Sequence, residues 1–386
     1  MKIFILYFNK SYYNRMSKFI IERISKYYEV YFFQMYGINY SIFKRIILEI
    51  KTTLKILFDR EVKIVHLNDM SLILPFFIKI LKLKGKILIY DTSNIHYETV
   101  KISGKSKIIV SLIKFLEYKL IKNAYYVISH GIFLKQILEE IRGESQNIFY
   151  IPDPVNVNSF SESNNKNLNE LIKKDEYRLL IGYTANFVLI KVGTKLLPRG
   201  WEIIEILNRF KEEGINDVKA IFIGTGDAID NLKNLAYERK VDSMCFFTSY
   251  LPEKEFIRYL NSIDVGFMED YDNIQYKTSI GIKVQQYMAA GKIVITGNGP
   301  ERDFLLSPSQ GKNLFFKPPK INNDEDILKY IEDLWNIFYY VYKNYDEIKA
   351  LGLNNKKRAL ELFDDEVVSD SLLNLYNKIN SELKLE

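Results

Sequence analysis

Short apolar runs alternate with longer amphipathic stretches along almost the whole chain. In the first part the runs are KIFILYF, EVYFF, VKIVHL, KILIYD, AYYVIS and NIFYIP. Between them, Arg15 to Tyr27, Ser71 to Leu83 and Ile132 to Ile141 repeat apolar residues at helical spacing. Short strands separated by helices predict parallel strands with crossover connections, hence a doubly wound α/β sheet. From Val155 the stretch VNVNSFSESNNKNLNELIKKDE is rich in Asn and Ser, has no strand pattern and reads as a linker. The alternation then restarts with RLLIGYT, VKAIFIG, MCFFTSY, DVGFM and KIVITG, five further strands, and from Asp324 onward the pattern is wholly helical. The expected organisation is an N-terminal Rossmann-like domain over 1–155, a linker over 156–176 and a second Rossmann-like domain over 177–365. A C-terminal helix, 366–386, is expected to return to the first domain.

Bulk properties fit two soluble α/β domains. A chain of 386 residues is too long for one ordinary core. Hydrophobic residues make up 47% and charged residues 26%, which argues against disorder. Cys245 is the only cysteine, so no intrachain disulfide can form and a reducing cytoplasm is the expected setting. His66, His96 and His130 lie far apart in sequence and lack metal-ligand spacing. The apolar run at the N-terminus, Ile3 to Phe8, is too short for a signal peptide and reads as a first buried strand. No uncharged apolar run reaches the length that spans a bilayer. Net charge +6 suits phosphate-bearing ligands without pointing to nucleic acid, which is not expected as a partner.

Two basic segments change the picture of the first domain. In YSIFKRIILEIKTTLKILF, Lys44, Lys51 and Lys55 share one side of a helix, opposite Ile46, Ile47, Ile50, Leu54 and Leu57. In KSKIIVSLIKFLEYKLIK, Lys107, Lys114 and Lys122 align opposite Ile109, Leu112, Leu116 and Leu120. The plain expectation is a pair of surface helices with their apolar sides on the sheet. The sharper one is that the lysines approach an anionic membrane surface, which would place the protein peripherally on the inner face of the cell membrane.

In open α/β sheets ligands sit beyond the carboxyl ends of the strands, so the residues just after each strand are the candidates. FIGTGDAIDNLKNLA places Gly224 and Gly226 between a strand and a helix, where free amides favour a phosphate or a hydroxyl. DVGFMEDYDNIQYKTSIGIKVQQYMAAGKIVIT is a strand, loop, helix, strand unit with a long polar loop from Glu269 to Ser279. Its helix is expected to start near Thr278 to Gly281. Lys283 would place a point charge at that start, and Gln286, one turn on, an amide able to bond a sugar hydroxyl. The competing reading leaves Lys283 solvated and Gln285 and Gln286 as ordinary surface.

These stretches resemble the retaining nucleotide-sugar glycosyltransferases of family four, which have the two-domain GT-B fold. TSIGIKVQQYMAAGKIVI is similar to the family's signature, and LIGYTANF with PRGWEIIEIL to its first C-domain strand and the helix after it. FIGTGDAIDNLKNLA, CFFTSYLPEKEFIRYLNSIDVGF, IPDPVNVNSF, KIVHLND and ILIYDTSNIHYE fit in order and spacing. The resemblance implies donor contacts from Asn186, Gly226, Thr278, Ser279, Gly281 and Gln286. It places the family's two signature glutamates on Thr278 and Gln286, and its diphosphate-binding Arg and Lys on Asn186 and Arg199. Lys191 and Lys195, in the loop between these two, could replace the charge that Asn186 lacks. The family's N-domain histidine would fall at Thr92 or Ser93, leaving His96 as the nearby candidate, and Asn9, Tyr12 and Tyr13 stand where an acceptor would be met.

The implied activity is transfer of a sugar from a nucleotide-sugar, a co-substrate, to a lipid-linked or glycan acceptor in cell-surface polysaccharide assembly. Arg199, Lys283 and His96 are its candidate catalytic groups; no metal and no cofactor are expected. Two other readings stay open on the sequence: a non-catalytic GT-B partner of another transferase, and a nucleotide-sugar epimerase on the same fold.

Overall fold

The computed structural model describes residues 2–7, 23–34, 41–161 and 176–385. The chain divides into two compact units. One comprises Met1–Pro154, Lys277–Ile280 and Leu362–Glu386; the other comprises Val155–Tyr276 and Gly281–Glu361.

The first unit is built on a six-stranded parallel sheet of order β2-β1-β3-β4-β5-β6. Its strands are β1 (Lys2–Tyr7), β2 (Glu29–Gln34), β3 (Val62–Asn68), β4 (Ile87–Thr92), β5 (Tyr126–Ser129) and β6 (Ile148–Tyr150). β4 and β5 are buried throughout, the mark of parallel strands covered on both faces. Its helices are α1 (Ile42–Phe58), α2 (Leu74–Leu83), α3 (His96–Ile102), α4 (Lys107–Asn123) and α5 (Ile132–Arg142). The C-terminal helix also packs in this unit: the Tyr376 hydroxyl lies 2.6 Å from His66 Nδ1, and Tyr126 donates to Glu382 at 2.5 Å. Below that contact Asp91 is fully buried between His66 Nε2 at 2.9 Å and His130 Nε2 at 2.6 Å. Burial opposes the charge on His130, but Asp91 and Asp153 outweigh it and raise the imidazole above its ordinary value, which favours the charged pair with Asp91.

The second unit carries the six-stranded parallel order β11-β10-β7-β12-β13-β14. The strands are β7 (Leu179–Asn186), β10 (Val218–Thr225), β11 (Cys245–Phe247), β12 (Val265–Phe267), β13 (Ile293–Gly297) and β14 (Phe315–Phe316). Helices α6 (Trp201–Glu212), α7 (Ile229–Glu238), α8 (Glu253–Ser262), α9 (Ile274–Thr278), α10 (Ile282–Ala289) and α11 (Pro300–Gln310) link them. α12 (Asp324–Ile348) and α13 (Leu351–Leu362) follow, and α14 (Asp365–Leu385) is the helix that packs on the first unit's sheet. The five expected strands are all present. β14 has two residues, too few to show a period, and the stretch containing Lys191 and Lys195 is a hairpin of β8 (Leu189–Val192) and β9 (Lys195–Pro198) instead of an open loop.

The expected orientation of the basic helices is corrected. On α1 the side chains buried against the unit are Glu49, Thr52, Thr53, Ile56 and Leu57, while Ile47, Ile50 and Leu54 are exposed together with Phe43 and Phe58. On α4 Leu116 and Leu120 are buried as expected, but Ile109 and Leu112 are exposed. The reason is a pair of buried carboxylates. Glu49 accepts from Ser71 Oγ at 2.7 Å, Leu72 N at 2.8 Å and Ile73 N at 3.0 Å, ordering the start of α2 together with Ser71, whose Oγ accepts from Leu74 N at 2.9 Å, and it pairs with Arg45 Nε at 2.8 Å. Glu117 does the same for α3, accepting from His96 N at 2.8 Å and Tyr97 N at 3.0 Å. Turning a polar anchor inward rotates apolar neighbours outward. Glu49→Ala leaves several buried donors without an acceptor and should cost about 3 kcal/mol or more. Urea unfolding measures it, and a loss under about 1 kcal/mol would mean that water replaces the carboxylate.

Candidate active site

In the second sheet, β7 has β10 on one side and β12 on the other, so the order reverses there; that is where an open α/β sheet offers a crevice at its carboxyl ends. β12 pairs with β7 only through Val265–Ile181 and Gly266–Gly182, after which the two strands part. Gly266 is required at that point: a Cβ there would lie 2.3 Å from the ring of Tyr287, which rests on the strand. The Tyr287 hydroxyl in turn accepts from the freed Thr184 N–H at 3.1 Å. The ring thus pins α10 to the place where the strands separate, with its N-terminus at Gly281, whose φ is 74°.

Glu269, directly beyond β12, is the centre of the site. Its side chain is 8% exposed, and it holds Lys283 Nζ at 2.9 Å and Arg199 Nε at 3.1 Å. Arg199 comes from the end of the hairpin, where its N–H donates to Val188 O at 2.9 Å, and Lys283 from the first turn of α10. Lys283 Nζ also sits 4.5 Å from the centre of the Tyr183 ring on β7. Burial works against the charge on Glu269, yet the two cations hold its carboxyl below the ordinary value. Close by, Glu202 in the first turn of α6 is fully buried, takes a 2.5 Å hydrogen bond from Tyr271, and is pushed up to about 7 by burial and by the charge of Glu269. Trp201 Nε1 donates to the same tyrosine at 3.2 Å. The arrangement is one ionised carboxylate with two cations, backed by a second carboxyl that burial moves up to about 7.

The second unit therefore brings together Arg199 and Lys283. Gln286 lies one helical turn from Lys283 on the half-buried side of α10, whereas Gln285 is buried, which corrects its reading as surface. Asn186 ends β7 and is exposed. Gly226 has φ 152°, and a Cβ there would lie 2.1 Å from Phe187 O, so backbone packing alone accounts for this glycine. Lys195 is drawn to Asp324 at 2.8 Å. Thr278 and Ser279 do not open α10; Thr278 ends the short helix α9 and Gly281 is the cap of α10, a break that the glycine's left-handed φ produces.

Thr278 and Ser279 group with the first unit, which also carries His96. The His96 ring stands 3.0 Å from Asp69 Oδ1 and 3.4 Å from Thr92 Oγ1, the position where the resemblance expects a histidine. Burial lowers its proton affinity, but Asp69 overcomes that and raises it above the ordinary value. Asn9, Tyr12 and Tyr13 lie outside the described residues. Sequence reasoning passed over Glu269 except as the start of a loop, and missed Glu202, Tyr271 and Asp69. Glu269 could have been found as the first charged residue past a strand at the sheet's switch point, but only once the strand order was known.

The sequence model of the family Glycosyl transferases group 1 matches residues 201–337, a segment that holds Glu202, Glu269, Lys283 and Gln286 and begins just after Arg199. The chain matches no curated protein. Among solved structures it is similar to HepE of Anabaena in complex with UDP, at 13% identity and TM-score 0.69, over 98% of this chain and 100% of that one. It is similar to the sucrose-phosphate synthase of Thermosynechococcus elongatus at 13% identity and TM-score 0.71, over 99% and 100%. WaaG, a glycosyltransferase involved in lipopolysaccharide biosynthesis, matches at 12% identity and TM-score 0.68, over 97% and 99%. The fold is GT-B, as the resemblance read in the sequence implies, and the matched family is the group 1 glycosyltransferases.

The carboxyl pair makes a test of its own. Glu202 has a folded pKa of about 7, above the ordinary glutamate value, so its contribution to stability is present below about pH 4.5 and is lost as pH rises through 7. Glu202→Gln keeps the acceptor for Tyr271 without the titration. Its Tm should match wild type near pH 5 and exceed it near pH 8; parallel Tm curves would mean that Glu202 is not the group holding the proton.

Proposed function

We propose that the chain is a retaining, metal-independent glycosyltransferase that moves a sugar from a nucleotide-sugar to a lipid-linked or glycan acceptor in cell-surface polysaccharide assembly, on the cytoplasmic side. The observation that carries this is the convergence of Arg199 and Lys283 on Glu269 at the switch point of the second sheet, beside the amide end of α10. Two cations against one carboxylate leave a net positive charge, and the helix end adds free N–H groups. A diphosphate is the ligand that such a site suits. In transfer, the acceptor's hydroxyl oxygen bonds to the sugar's anomeric carbon as the bond to the diphosphate oxygen breaks, the hydroxyl proton passes to the departing phosphate, and negative charge grows on the leaving group as the bond opens. Arg199 and Lys283 stabilise that charge, and fixed positions supply the rest. Gln286 takes a ribose hydroxyl, Asn186 and Gly226 contact the donor phosphates, and Thr278, Ser279 and Gly281 the donor sugar. His96, oriented by Asp69, serves the reacting sugar, and Asn9, Tyr12 and Tyr13 meet the acceptor. HepE, solved with UDP and with UDP-glucose, supports uridine nucleotides as the first donors to try.

Calorimetry with UDP and GDP in the presence of EDTA tests the reading. Wild type should bind one of them. Arg199→Ala should weaken binding by about 1.5–3 kcal/mol, and Gln286→Ala by about 0.5–1.5 kcal/mol. Gln286→Glu should bind at least as well as wild type, since a carboxylate makes the stronger bond. Lys283→Ala should lower turnover of a UDP-sugar more than UDP affinity. Flat titrations of wild type with both nucleotides would remove the donor site.

A further inference from the structure

The outward-turned apolar residues of the first unit form one surface. On α1 they run Phe43, Ile47, Leu54 and Phe58 along a single stripe, with Phe43 at 75% exposure. α2 continues it with Phe76 and with Leu83, at 87%, and α4 with Leu112, Phe115 and Ile108, at 82%. Lysines join the stripes: Lys84 Nζ lies 5.4 Å from the Phe58 ring, and Lys119 Nζ 4.7 Å from Phe76 and 5.8 Å from Phe115. A contiguous apolar surface spread over three helices marks an interaction site.

The charges around it select the partner. Lys44, Lys51, Lys55, Lys79, Lys107 and Lys114 are exposed on the same three helices. The acidic residues of these helices are Glu49 and Glu117, and both are fully buried as helix anchors. No negative charge of these helices therefore reaches the surface. A second copy docking here would set lysines against lysines, and a nucleic acid has no use for so broad an apolar centre. Among the described residues no helix is long and apolar enough to cross a membrane.

We propose that this face of the first unit lies in the surface of an anionic lipid bilayer. The aromatic and aliphatic stripe enters the boundary between headgroups and acyl chains, and the lysines around it meet the headgroups. The apolar residues carry the binding, and the lysines choose the lipid. This site is independent of the donor site and would stand if that reading failed.

Vesicle flotation tests it, with phosphatidylcholine vesicles and with vesicles containing phosphatidylglycerol. Wild type should float with the anionic vesicles and much less with the neutral ones. The triple variant Phe43→Ser, Ile47→Ser, Leu54→Ser changes only exposed side chains, so it should keep the wild-type Tm. It should lose on the order of tenfold in partitioning for each side chain removed. The variant Lys44→Gln, Lys51→Gln, Lys55→Gln should show a weaker preference for anionic vesicles and a shallower dependence on salt. Phe58→Trp should show a blue-shifted emission on vesicles. Failure of wild type to float, or equal flotation of the serine variant, overturns the proposal. So does a wild-type dimer in light scattering that the serine variant dissociates, because the face would then be an interface between copies.

Discussion

Two buried carboxyl groups close together raise the cost of each other's charge, and the second unit is organised around which of them takes up a proton first as pH falls. Glu269 has Lys283 and Arg199 and stays ionised; Glu202, fully buried and facing the charge of Glu269, is pushed up to about 7 even though the Tyr271 hydroxyl favours its ionised form. That division sets the charge available to a ligand. Were both ionised, the two cations would be matched by two carboxylates and no surplus charge would be left for a diphosphate. With one neutral, a positive charge is left over at the amide end of α10. The strand geometry makes this possible, because β7 and β12 part after a single glycine pair and Tyr287 fills the gap with a ring instead of a backbone ladder.

Buried acids do a second kind of work in the first unit. Glu49 takes the two amides just before α2 and the hydroxyl of Ser71, which itself caps that helix, and Glu117 takes the free amides at the start of α3, whose N-cap residue Ile95 offers no side-chain bond. Each carboxylate fixes the rotation of its own helix, since a charge satisfied only at the interior cannot turn outward. The apolar residues that share the other side of α1 and of α4 are then committed to solvent or to whatever covers them. The same contact that orders the fold creates its exposed surface.

The alternation of short apolar runs was enough to read both sheets, because strands buried on both faces show as unbroken hydrophobic stretches whatever their neighbours are. It was not enough for β14, with its two residues, nor for the hairpin of β8 and β9, which Lys191 and Lys195 disguise as a polar loop. The helix wheels failed for a more general reason. Periodicity finds the two sides of a helix but assigns them by hydrophobicity alone, and the inward side of α1 is decided by Glu49, a residue that every scale places outside.

The site was legible in the same uneven way. Lys283 and Gln286 stand at fixed offsets within one helix, so local pattern reaches them. Arg199 and Lys283 come from segments far apart in the chain, and what unites them is Glu269, which belongs to neither. A carboxylate after a strand looks like any polar loop residue until the sheet order shows that its strand borders the switch point. Arg199 precedes the segment that the family sequence model matches, 201–337; the resemblance of PRGWEIIEIL points to it, and the geometry adds what pattern cannot: a hairpin that delivers it, Val188 that holds its backbone, and one buried carboxylate that it shares with Lys283.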